Sequence, residues 1–128
     1  MKIKIAEAPE LVIDFLVAKC EGRKPGHYLG VVRATAHPDF PDSPPMFGPE
    51  LRYSTDWAQG GPIIEREGIS TVSQGDGHEW IASLWDYETE DWRLHTTGPT
   101  PLIAAMRCFV ASKLGDEVDV PDELLCTP

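Results

Sequence analysis

The 128-residue sequence has no uninterrupted apolar run near the roughly 20 residues that a membrane-spanning helix needs, so no membrane association is expected. Cations are scarce: 11 Lys and Arg against 21 Asp and Glu give a formal net charge of -10. Direct nucleic-acid binding, which uses clustered Lys and Arg to displace phosphate counterions, is therefore not expected. A basic protein partner, or simple solubility, fits this charge better. Carboxylates arrayed along one surface could imitate DNA, although here they are dispersed along the chain. Cysteine is limited to Cys20, Cys108 and Cys126, with no CxxC spacing and no apolar leader before the first helix. A cytosolic location with reduced thiols is expected, with Cys20 and Cys108 as small apolar fillers. His27, His37, His78 and His95 stand apart, without metal-ligand spacing. The nearest approach, Asp76-Gly77-His78-Glu79, reads as a polar hairpin turn. No GxSxG elbow, phosphate-binding loop, dinucleotide fingerprint or internal repeat is present. No catalytic residue, metal or cofactor is expected.

What the chain does contain is enough apolar material, 41% of its residues, for one domain over 1–128 with a single core. The plainest element is a helix in the stretch 97–115. Thr100 can cap its first free amides, Pro101 occupies the first helical position, and Gly115 supplies the stop. Leu102, Ile103, Met106, Phe109, Val110 and Leu114 are expected on the core side, with Ala104, Cys108, Ala111 and Ser112 opposite. Arg107, at the edge of the apolar face, is expected to cover the core with its stem while its guanidinium meets a carboxylate. A second helix is predicted over 9–21, opened by Pro9 and closed after Glu21 by Gly22. Its apolar residues run almost all the way round, leaving a narrow acidic stripe of Glu10, Asp14 and Glu21. Such a helix either packs on two sides within the fold or makes a homo-oligomer contact.

Residues 1–5 alternate as a short strand or an extended arm, and 27–36 read as a strand weakened or bulged at Gly30. The 37–49 stretch carries five prolines and is expected to be a surface loop, from which Phe40, Met46 and Phe47 could stick to the body or to a partner. The runs 69–73 and 80–85 suit an antiparallel pair, with the second strand central because both its faces carry apolar groups. Residues 92–97 alternate as a further strand after an acidic turn. Beyond Gly115 an acidic tail over 116–128 is expected, anchored by Val118, Val120, Leu124 and Leu125.

Between these elements, residues 51–68 are dense in unusual types. Asp56 stands three residues before Gln59 in the manner of a capping box, and Gly61-Pro62 is expected to interrupt the segment before Gly68 ends it, giving one broken helix or a turn followed by a short helix. Adjacent Gly60 and Gly61 could expose amides to an anion, or could admit another element closely with Pro62 setting a helix start. Tyr53, Asp56, Trp57, Gly60 and Gly61, with Phe40 and Phe47 from the loop, form the candidate ligand or partner surface.

Tyr53-Ser54-Thr55-Asp56-Trp57 with Gly61-Pro62-Ile63-Ile64, then Trp80 and Ala82, then Thr100-Pro101-Leu102 and Ala104 to Cys108, resembles the NinX family of small lambdoid-phage proteins. Val17-Ala18-Lys19 with Gly22 extends the resemblance toward the front of the chain. It implies a tailed-phage or prophage origin, expression in a bacterial cytoplasm and a place among accessory early genes. It carries no established activity or catalytic residue to transfer.

The expected fold is α+β: an antiparallel sheet of three or four strands with the 9–21 and 101–114 helices packed against it. The expected function is that of a noncatalytic phage accessory protein that binds a host or phage protein. A small-ligand or enzymatic site around Tyr53–Gly61, and acidic DNA mimicry, are the alternatives.

Overall fold

The helix end signals act as written. In the computed structural model, which describes residues 1–28, 31–34, 50–75 and 79–124, α1 runs over Glu10–Cys20, α2 over Trp57–Glu67 and α3 over Pro101–Leu114. Thr100 accepts the amide of Ile103 at 3.1 Å, and Gly115 closes α3 at φ 90°. Asp56 accepts the amide of Ala58 at 3.0 Å, and Gly68 ends α2 in the left-handed region.

The strands are β1 (Lys2–Lys4), β2 (Pro25–Tyr28), β3 (Val31–Ala34), β4 (Ser70–Ser73), β5 (Trp80–Asp86), β6 (Asp91–Gly98) and β7 (Glu117–Asp119). All the pairings are antiparallel, and the fold is α+β. Among the described residues, the expected three-stranded sheet is β4-β5-β6, with β5 central, and two further pairs, β1-β7 and β2-β3, stand beside it. The single strand expected over 27–36 is a hairpin in which Tyr28 pairs with Val31. At the other end, the described part of the acidic segment pairs with β1. Val118 and Val120 alternate inward and are 8% and 3% exposed, and Leu124 is also buried. The 37–49 stretch, including Phe40, Met46 and Phe47, lies outside the described residues, as do Leu125 and Cys126.

Helix α3 is the centre of the core. It contacts β4, β5 and β6, and also α1, α2 and β7. Its expected division into a core side and an opposite side is therefore wrong: Ala104, Cys108 and Ala111 are buried along with Leu102, Ile103, Met106, Phe109 and Val110. Small residues on that side let neighbouring elements approach the helix, while Leu114, in the last turn, is 46% exposed. Helix α1 packs on α3 and on the β2-β3 hairpin. Its residues Val12 to Ala18 are all buried within the chain, so its wide apolar arc is used internally.

Two polar expectations are corrected by this packing. Asp14 is not part of a solvated stripe but is 6% exposed beneath the Tyr53–Thr55 turn. Arg107 meets backbone carbonyls instead of a carboxylate, donating to Thr97 O at 2.9 Å and Ala8 O at 2.8 Å. The carbonyls of an extended strand end and of the turn before α1 converge there, and a forked guanidinium bridges both. Burial lowers the pKa of Arg107.

Candidate functional site

The segment from Leu51 to Gly68 is assembled from its own polar groups. Thr55 N and Asp56 N both donate to Arg52 O, forming a turn that delivers Asp56 to the start of α2. Gln59 reaches back from the first turn: its Nε2 donates to Asp56 Oδ2 and to Glu50 O, and its Oε1 accepts Arg52 N. The local signal for a cap was legible, yet Gln59 ties down the preceding chain where a capping box would return to the Asp56 amide.

Helix α2 is continuous through Pro62, contrary to the expected break. Proline removes one helical donor, whose partner would be the carbonyl of Ala58, and Ala58 is exposed enough for water to serve instead. Gly61 removes the Cβ that would crowd the proline ring from the preceding position. Gly60 has a different role. A Cβ there would meet the carbonyl oxygen of Tyr53 and would lie 2.6 Å from Leu102 Cδ1, so this glycine lets α2 lie directly on the Tyr53 turn and α3. Its amide donates to Asp56 O at 2.9 Å and is spent within the helix, which removes it from any anion-binding loop.

The structure thus separates the five described candidates. Asp56 caps, Gly60 is packed, Tyr53 is 6% exposed, and Gly61 is half-buried, where an added Cβ would come no nearer than 3.9 Å, to Trp57 Cε3. Trp57 is 55% exposed. Phe40 and Phe47 lie outside the described residues. Tyr53 lines an open groove of about 580 Å³ together with Arg23, Glu50, Gln59, Arg66 and Glu21. Burial raises the Tyr53 pKa, and Arg23 beside it opposes the rise. Arg66 forms two bonds to Glu21, at 2.9 and 3.0 Å, and one to Glu67. These bonds raise the pKa of Arg66, and the bond from Arg66 holds Glu67 below the usual carboxylate range. The groove thus carries paired charges of both signs.

Sequence reasoning missed a second surface. Helix α3 covers one face of the three-stranded sheet, where Ala82 is buried and Thr96 Oγ1 donates to Ala104 O at 2.8 Å. Strand alternation sends Val72, Ile81, Ser83 and Trp85 to the other face. The register shifts between Leu84 and Trp85, so Trp85 pairs with Trp92 while Leu84 pairs with Leu94. The irregularity brings Trp92 against both Trp85, edge to face at 5.0 Å, and His95, at 5.8 Å. Ser83 and His95, a cross-strand pair, share a 2.7 Å hydrogen bond between Oγ and Nδ1. Val72, Trp85 and Trp92 remain 60%, 38% and 44% exposed, and Tyr87 in the following turn is 86% exposed. The available signal was the alternation of Ile81, Ser83 and Trp85; what alternation lacked was which face α3 would cover.

Among the described residues, no group of three or more His, Cys, Asp or Glu is placed to hold a metal ion, and no helix is long and apolar enough to cross a membrane. Comparison with protein families matches residues 4–113 to the one described as Bacteriophage P22, NinX. No curated protein matches the chain.

Proposed function

The chain belongs to the NinX family of bacteriophage P22, and we propose that this phage accessory protein works without catalysis, by binding a host or phage protein in the cytoplasm of an infected bacterium. The observation that carries this reading is the sheet face opposite α3. Val72, Trp85 and Trp92 are left open there although the same chain buries both sides of α1 and α3. Large aromatic side chains grouped at an exposed surface are the usual anchors of protein interfaces. Affinity capture of the tagged chain from infected cells, at several salt concentrations, tests it. A specific protein retained in stoichiometric amount is expected, and its absence at every salt concentration would count against the reading.

The groove beside Tyr53 supports a second reading, a small-ligand site, because Tyr53, Gln59, Arg23 and Arg66 bring several donors to one concavity. A thermal-shift screen of small anions and zwitterions tests it, and a screen without any shift would remove it. DNA mimicry has less support, since Glu21, Glu50, Glu67 and Asp119 are each held by a cation, which interrupts an array of free carboxylates.

A further inference from the structure

The β5-β6 hairpin combines an open aromatic face with unneutralised negative charge. One residue pair before the turn, Trp85 and Trp92 stand edge to face, with His95 continuing the row along β6 toward the base. At its tip, Asp86, Glu88, Glu90 and Asp91 surround Tyr87 within six residues. Asp86 Oδ1 accepts the amide of Glu88, and Asp91 Oδ1 that of Trp92, which orients these two carboxylates without neutralising them. Among the described residues, none of the four joins an ion pair; the carboxylates that do are Glu21, Glu50, Glu67, Asp119 and Asp122. Arg93, on the same strand, donates to Ser112 O on the α3 side.

Resting on the protein-binding reading above, we propose that this hairpin face docks an arginine-bearing segment of the partner protein. Guanidinium groups stack on indole faces and pair with carboxylates, and the two recognition chemistries lie side by side here. Charge decides between occupants. A second copy would bring the same acidic tip and the same net charge of -10 to the contact. A nucleic acid could stack on the rings, but its phosphates would meet four carboxylates. A basic segment gains from both features. Charge complementarity of this kind also speeds encounter, which makes the binding steeply dependent on salt.

The test uses the full chain and a labelled 12-residue peptide that alternates arginine with alanine. Companion peptides replace arginine by lysine or by glutamine. Binding is read by fluorescence anisotropy and by the tryptophan emission of the protein. The arginine peptide is expected to bind, the lysine peptide about threefold more weakly, since an ammonium does not stack as a guanidinium does, and the glutamine peptide not at all. Doubly reversing the tip, Glu88→Lys with Glu90→Lys, should weaken arginine-peptide binding about tenfold at low salt and flatten its salt dependence. Trp92→Ala should weaken it about fivefold. Circular dichroism and thermal unfolding verify that each variant folds, and the reversal at two exposed turn positions serves if Trp92→Ala does not.

Equal binding of the glutamine peptide, equal binding by the reversed variant, or no binding of the arginine peptide overturns the proposal. So does a dimer in sedimentation that Trp92→Ala dissolves, because a second copy then holds the face. A protein captured from infected cells whose retention is unchanged by these substitutions also overturns it, while leaving the protein-binding function standing.

Discussion

Replacing Asp14 by asparagine tests how the buried side of α1 is held against the Tyr53–Thr55 turn. Asp14 Oδ1 accepts both Ser54 N at 2.8 Å and Ser54 Oγ at 2.7 Å, and the residue is 6% exposed. Two donors on one oxygen would ordinarily stabilise the carboxylate. Burial outweighs them, and the pKa is pushed up from 3.8 to about 6, with Glu10 adding to the rise and Arg52 opposing it. A raised carboxylate pKa means that the folded protein binds the proton more tightly than the unfolded chain does. The carboxyl's contribution to stability is therefore fully present below the unfolded value and is lost as pH rises through the folded one. The difference of about two pKa units corresponds to about 3 kcal/mol, of which about 2 kcal/mol falls between pH 4 and pH 8. Asparagine keeps an oxygen for Ser54 but does not titrate. Urea unfolding of both proteins across this range should show Asp14→Asn gaining on the native protein as pH rises, by about 2 kcal/mol in the difference. A difference that is flat with pH, or that shrinks as pH rises, would refute the claim that burial outweighs the two hydrogen bonds.

Three further outcomes follow from the packing. Gly60→Ala should cost about 1–3 kcal/mol in urea unfolding, because its Cβ would press on a backbone carbonyl and on Leu102. Gly61→Ala should stay within about 1 kcal/mol of neutral, with helix propensity favouring it and the Pro62 ring opposing it; equal losses at both positions would contradict the assigned packing. Arg107→Met should destabilise the fold by about 2 kcal/mol by leaving the carbonyls of Ala8 and Thr97 without their donor, and Arg107→Lys by less. The Cys108 thiol, fully buried and pushed up to about 11, should be alkylated only as fast as the protein opens. Peptide mass spectrometry after timed alkylation checks this, and modification of Cys108 as fast as of the partly exposed Cys20 would contradict it.

The candidate surface was legible in part. The cap at Asp56 is legible because its signal is local, whereas the sequence leaves Gly60 and Gly61 open between exposed amides and close approach, and only the packing of Gly60 on the Tyr53 carbonyl and Leu102 decides it. The order of importance within the segment was not legible. Tyr53 and Trp57 are both aromatic and four residues apart, and only the position of α3 and the groove decides that one is covered and the other open. Pro62 misled for a related reason. A missing amide is costly only where nothing else can satisfy the orphaned carbonyl, and solvent exposure of Ala58 is a tertiary fact.

By itself, the sequence determined whatever depends on contacts a few residues apart: the limits of α1 and α3, the caps at Thr100 and Asp56, the antiparallel run from β4 through β6, and membership of a phage family. Tertiary structure alone decided which surfaces those elements present. The breadth of the apolar arc on α1 cannot say whether its cover is internal, and β5, apolar on both faces, cannot say which of them α3 will take. That choice depends on elements distant in the chain. It buries Ala82 and Leu102 in the core and leaves Trp85 and Trp92 open beside an acidic hairpin tip.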